Sequence, residues 1–191
     1  MISLSNLSKG LVFAALLILS TTLSGCVTSK DVLFNAVSTP MRTGKYEVQY
    51  LIDGKWTTFG AGSLALVNGQ YTWDEDKEAA SLLNWSPSGL RLTLVDAGNR
   101  YLIIIIATAD LRNPIWGGNY MYGIARRSGD VFLYEFPSCF DLMVSEGFAD
   151  SQIEKIGTYE CLYSRKTPLT SALTTYAKRA VLWKRLAPSS H

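Results

Sequence analysis

The chain reads as mainly β: an antiparallel meander forming a small barrel or a sandwich, with an apolar helix at its start and an amphipathic helix at its end. Three observations predict this. Short runs alternate apolar and polar residues with the period of a half-buried strand, favoured hairpin dipeptides stand between such runs, and after Thr167 the apolar spacing changes to that of a helix face.

Tyr46, Val48, Tyr50 and Ile52 alternate with Glu47, Gln49, Leu51 and Asp53, and Asp53-Gly54 then turns the chain into a return strand, Lys55 to Phe59. Leu64 and Leu66 lead into Asn68-Gly69, and Gln70 to Trp73 runs back. Leu90 to Val95, a turn at Asp96-Ala97-Gly98-Asn99 and Tyr101 to Thr108 make a third pair. Tyr120 to Arg126, Ser128-Gly129-Asp130 and Val131 to Phe136 make a fourth, and a last strand is expected near Tyr159 to Ser164. Within Leu102-Ile103-Ile104-Ile105-Ile106 alternation is lost, so this β-branched strand is expected to be covered on both faces. The cover is a helix over 168–185, opened by Thr167-Pro168. Its apolar seam is Leu169, Leu173, Tyr176, Ala180 and Trp183.

The first residues have a different character. Lys9 precedes an apolar stretch from Leu11 to Leu19, which Ser20, Thr21 and Thr22 close, the order of a secretory signal. A spanning helix needs about 20 apolar residues, and this run is little over half of that. Leu23-Ser24-Gly25-Cys26 follows and resembles the lipobox of bacterial lipoproteins: a leucine three positions before a required cysteine, with small residues between. The resemblance implies cleavage between Gly25 and Cys26, and diacylglycerol on the Cys26 thiol with the palmitate-type acylation of that class. It also implies an envelope protein held on a membrane by lipid. Val27, in place of the aspartate associated with inner-membrane retention, points to the periplasmic face of the outer membrane in a cell that has one. Residues 1–25 are then signal peptide, 26–43 a tether without clear period that docks in part on the domain, and 44–191 a single domain.

Of 191 residues, 18 are Lys or Arg and 16 Asp or Glu, and only Lys9 among these lies in the signal, so the mature chain carries about +1. The basic residues are scattered, which argues against nucleic acid. Aromatics at 12%, with five Trp and ten Tyr, belong to a packed domain. Cys139 and Cys161, in an oxidising compartment, are expected to form a disulfide.

Histidine supplies the most useful exclusion. His191 is the only one and stands last, which removes histidine triads, cysteine–histidine pairs and most zinc sites. Gly60-Ala61-Gly62 and Gly117-Gly118 have neither the spacing nor the context of a phosphate loop, and no nucleophile elbow is present. No cofactor or metal is expected. Asp74-Glu75-Asp76 lacks the glycine and spacing of a calcium loop and reads as solvated. The pairs Arg126-Arg127, Lys178-Arg179 and Lys184-Arg185 read as solvated ends of a hairpin and a helix. Trp56, Trp73, Trp85 and Trp116 read first as core. Trp116, in the loop Asn113-Pro114-Ile115-Trp116-Gly117-Gly118, is the candidate ligand-binding residue.

The expected function is a non-enzymatic, lipid-anchored module that binds an envelope protein or an apolar ligand, or supports an assembly; a carrier of this kind needs a lumen wider than side chains fill. The alternative is a hydrolase of cell-wall polymer using Asp74 or Glu75 with Asp110 or Glu135. It needs two carboxyl groups facing one cleft, roughly 5 to 10 Å apart.

Overall fold

The computed structural model of the chain describes residues 27–35, 37–76, 90–107, 118–146, 153–156, 160–182 and 184–189. Residues 1–25, expected as a signal peptide, and Cys26, Trp85, Asp110, Trp116, Trp183 and His191 lie outside the described residues.

Seven strands follow one another as an antiparallel meander: β2 (Gly44–Ile52), β3 (Lys55–Val67), β4 (Gln70–Glu75), β5 (Leu90–Gly98), β6 (Tyr101–Ala107), β7 (Tyr120–Ser128) and β8 (Val131–Glu135). The final strand, β11 (Lys184–Pro188), enters between β2 and β8 and is antiparallel to both. With β6 paired to β7, an eight-stranded barrel closes. A barrel, not a sandwich, is the architecture. The terminal helix expected over 168–185 is accordingly corrected: a helix, α2, spans Lys166–Arg179, Ala180 is extended, and the residues from Lys184 form a strand. Local helix spacing ends where the barrel needs its eighth strand.

The hairpins follow from residues that tolerate a left-handed backbone. Asp53-Gly54 and Asn68-Gly69 have φ of 48°, 74°, 51° and 79°, the two positive angles of a tight turn matched to strand twist. The third turn is displaced from its expected place. β5 continues to Gly98 through a bulge after Asp96, whose carboxylate accepts the Gly98 N–H at 2.7 Å, and the turn residues are Asn99 and Arg100. β3 also departs from expectation, since the two strands read on either side of Gly60-Ala61-Gly62 are one continuous strand of 13 residues. Gly62 is required there, because a Cβ would stand 2.5 Å from the Trp73 ring and 2.6 Å from the Asp74 carbonyl.

Alternation on β5, β6 and β7 builds two cores back to back. Leu94, Leu102, Ile104, Ile106, Met121 and Ala125 point into the barrel, where Tyr46, Leu64, Tyr71, Trp73 and Phe132 meet them. These large side chains occupy the interior, as suits eight strands. Val95, Ile103, Ile105, Tyr122 and Ile124 point outward, under Leu169, Ala172, Leu173 and Ala177 of α2. The isoleucine strand is thus covered on both faces.

Beside α2 in this outer layer lie α1 (Cys139–Glu146) and a small extension of the sheet. β1 (Val27–Ser29) pairs antiparallel to the start of β7 and parallel to β10 (Glu160–Tyr163), which pairs with β9 (Ile153–Ile156). Cys139 and Cys161 form a disulfide, with Cα atoms 5.1 Å apart, joining α1 to β10. The segment 26–43, read as a tether that docks in part, lies on the domain over much of its described part. Val27, Thr28 and Ser29 are buried, and Ser29 Oγ bonds the Tyr122 hydroxyl at 2.7 Å. Phe34 is in the outer core, Ser38 N–H donates to Leu94 O, and the Tyr71 and Tyr46 hydroxyls bond the backbones of Met41 and Arg42. Buried apolar and hydroxyl partners, most of them distant in the chain, hold a segment that has no period of its own.

Candidate functional site

The barrel has two unlike ends. Turns at Asn68-Gly69, Asn99-Arg100 and Gly129-Asp130 close one end, where residues 41 and 42 are bound to Tyr71 and Tyr46. At the other end β2, β6 and β8 finish and β7 and β11 begin, as the registers Ala107↔Tyr120, Tyr134↔Lys184 and Lys184↔Tyr50 show. A cluster of aromatic and charged residues lies at this second rim.

Lys184 lies between Tyr50 and Tyr134 in the ladder and shares the inner face of Leu186. Its ammonium stands 5.8 Å from the centre of the Tyr50 ring and 2.7 Å from Glu135 Oε1. The Lys184 and Glu135 side chains are only 26% and 12% exposed, so this is a largely desolvated pair. The same carboxylate oxygen accepts the Phe136 N–H. Phe59 packs edge-on against Tyr50 with centroids 4.8 Å apart, and Phe136 packs against Tyr134 at 6.3 Å. On the outer face Arg185 donates to Gln49 and its guanidinium lies 4.5 Å from the centre of the Trp56 ring.

Burial, reinforced by Tyr50 and the Glu135 carboxylate, raises the Tyr134 phenol far above its ordinary value. Burial, then Glu135 and Asp141, does the same to Tyr176 on α2. Both hydroxyls stay protonated through the physiological range and can donate hydrogen bonds, but they are not bases. Together with a paired carboxylate and aromatic faces, this equips the rim for holding a ligand or partner group. Lys184→Met is expected to leave Glu135 without its ammonium and to cost about 1–2 kcal/mol in urea unfolding, less than a fully buried pair. Glu135→Gln in the same chain should recover part of the loss.

The residues singled out in the sequence scatter. Asp74 is exposed on the outer face of β4, opposite Ser63 on β3, and Glu135 is on β8. Four strand-to-strand steps separate them, roughly 19 Å around the wall. They share no cleft. The Glu75 backbone is in β4, and Asp110 lies outside the described residues. Trp73 is core, under no open surface, whereas Trp56 is half-buried beneath Arg185. Trp116 is outside the described residues, in the connection from β6 to β7 that leaves from this rim. Arg126 and Arg127 are exposed at the β7–β8 hairpin, with Arg127 Nε on Gly129 O, and Lys178 and Arg179 end α2. Lys184 and Arg185, expected to be solvated at a helix end, are instead strand residues of the rim cluster. Tyr50 and Tyr134 carry no local signal of this role, because the strand that brings them together through Lys184 lies far from both in the chain.

A second depression, an open groove of about 360 Å³, lies between α2 and Ala97 and is lined by Lys166, Thr167, Thr170, Ser171 and Thr174. Thr170 and Thr174 direct their hydroxyls to carbonyls of their own helix. Among the described residues there is no group of three potential metal ligands, and no helix is long and apolar enough to cross a membrane. Compared with protein families, characterised proteins and solved structures, the chain matches none.

Proposed function

We propose that the protein is a lipid-anchored component of the cell envelope whose barrel is a non-enzymatic binding or assembly module. The observation that carries the anchor is Leu23-Ser24-Gly25-Cys26 after a short apolar segment. The Cys139–Cys161 disulfide agrees with an oxidising compartment. The binding surface is the open rim, with Tyr50, Phe59, Tyr134 and Phe136 as aromatic contacts, and Trp116 is proposed to join them from the β6–β7 connection. The partner is an envelope protein, or an apolar group that lies on the rim. A partner on the rim is preferred to a ligand inside, because large side chains already occupy the interior. The separation of Asp74 from Glu135 weighs against a two-carboxylate hydrolase.

The anchor is tested by labelling cells that make the protein with radioactive palmitate. The native chain should take up label, and Cys26→Ala should take up none and accumulate as uncleaved precursor. Label that persists in Cys26→Ala, or its absence from the native chain, overturns the proposal.

A further inference from the structure

We propose that the domain lies flush on the membrane surface, with the exposed side chains of Phe140 and Val144 on α1 dipping into the lipid that holds Cys26. This rests on the reading of Cys26 as the acylated residue and goes beyond it. An anchor alone specifies neither the distance nor the orientation of what it holds.

The distance comes from β1. Val27 is 0% exposed and Thr28 and Ser29 are ladder residues between β7 and β10, so the folded domain begins one peptide unit after Cys26. Consecutive Cα atoms are about 3.8 Å apart, which leaves no spacer through which the domain could stand off from the acyl chains. The orientation comes from the disulfide. Val27 pairs with Cys161 in the ladder, and Cys161 is bonded to Cys139, the first residue of α1, with Cα atoms 5.1 Å apart. Phe140 therefore has its backbone within about 14 Å of the anchoring strand.

On α1 the inward residues are Cys139 and Leu142, whereas Phe140 and Val144, one helical turn apart, are 56% and 67% exposed. The helix presenting them is capped at its start and bonded to β10 by the disulfide. Ser138 and Asp141 cap it reciprocally, with the Ser138 N–H and hydroxyl on Asp141 Oδ2 at 2.8 and 2.7 Å and the Asp141 N–H on Ser138 Oγ at 3.1 Å. An apolar pair on a pinned helix, beside a residue that carries acyl chains, has one apolar phase within reach. Both Phe and Val gain by entering it. Leu66 and Val67, also exposed, lie at the turn end of β3, five strands around the sheet from β1, and have no such phase beside them.

The test uses the native acylated protein in vesicles of phosphatidylethanolamine and phosphatidylglycerol that contain a trace of phosphatidylcholine with a diazirine on its acyl chain. After irradiation, digestion and mass spectrometry, lipid adducts are expected on peptides from 139–146 and not on peptides from 64–70. Adducts spread equally over both, or on neither while Cys26 is acylated, overturn the flush orientation alone. The same digest reads the mass of the peptide that contains Cys26, and an unmodified thiol there overturns the anchoring reading instead.

Discussion

Raising the pH above about 10 is expected to unfold the barrel steeply, while stability changes little between pH 7 and 9. Burial is the leading cause that raises the phenols of Tyr46, Tyr71, Tyr122, Tyr134 and Tyr176 above the ordinary value of 10.0. The native state therefore holds these protons more tightly than the unfolded chain. Below pH 10 both states are protonated and the full stability is present. Above it the unfolded chain loses protons that the folded chain retains, and stability falls as pH rises towards the folded values. Tyr134, with the most deeply buried phenol, contributes up to about 1.4 kcal/mol per pH unit in that window, and the others, with phenols more open to solvent, contribute less, so together they remove a large part of the stability of a typical domain. Urea unfolding at fixed pH steps, followed by circular dichroism, measures the fall, and the part of the tyrosinate absorbance that belongs to these five should appear only with unfolding. Tyrosinate absorbance that reaches its full unfolded amplitude near pH 10 in a chain still folded would contradict the burial of these hydroxyls. Tyr134→Phe removes one titrating group and should make the decline shallower.

One of these tyrosines, Tyr71, stands beside one of two hairpins that the sequence announces openly. Asp53-Gly54 and Asn68-Gly69 are legible because few dipeptides accept two positive φ values in succession. The third hairpin is less legible for the same reason. Arg100 adopts a φ of 69°, which no turn preference would single out, while Gly98, the obvious turn glycine, serves a bulge. Gly60 and Gly62 looked like a break in the strand pattern. They are instead positions in a continuous strand, and at Gly62 the missing side chain makes room for Trp73.

What stayed hidden depends on partners distant in the chain. β1 is three residues long and owes its strand conformation to Met121 and Cys161, and β11 owes its own to Tyr50 and Tyr134. No window around Lys184 contains the reason for its place at the rim. The α2 seam was readable at Leu169 and Leu173, but Ala172 and Ala177 are equally buried, since small residues let the helix approach the sheet. The Cys139–Cys161 pairing was legible from compartment and count, whereas its position between the first turn of a helix and the strand beside Val27 was not.

That position sets the expected effect of breaking it. Removing the bridge by dithiothreitol, or by Cys139→Ser with Cys161→Ser, should lower stability by about 3 kcal/mol, because the covalent loop restricts the unfolded chain by roughly that amount. The loss should be uneven across the molecule. Both cysteines belong to the outer core with Leu142, Tyr163 and Leu169, and neither belongs to the cluster inside the barrel. The barrel keeps its closure through β11 and through the β6–β7 ladder, which do not involve the bridge. Limited proteolysis of the reduced protein should therefore cut first between 139 and 161, with the strands from β2 to β8 surviving as a resistant fragment. A bridge without such a local role would lower the urea midpoint and leave the order of cleavage unchanged. Release of α1 also frees the apolar pair Phe140 and Val144 from β1, so under the proposed anchoring at Cys26 reduction is expected to loosen the domain on the membrane while leaving the barrel closed.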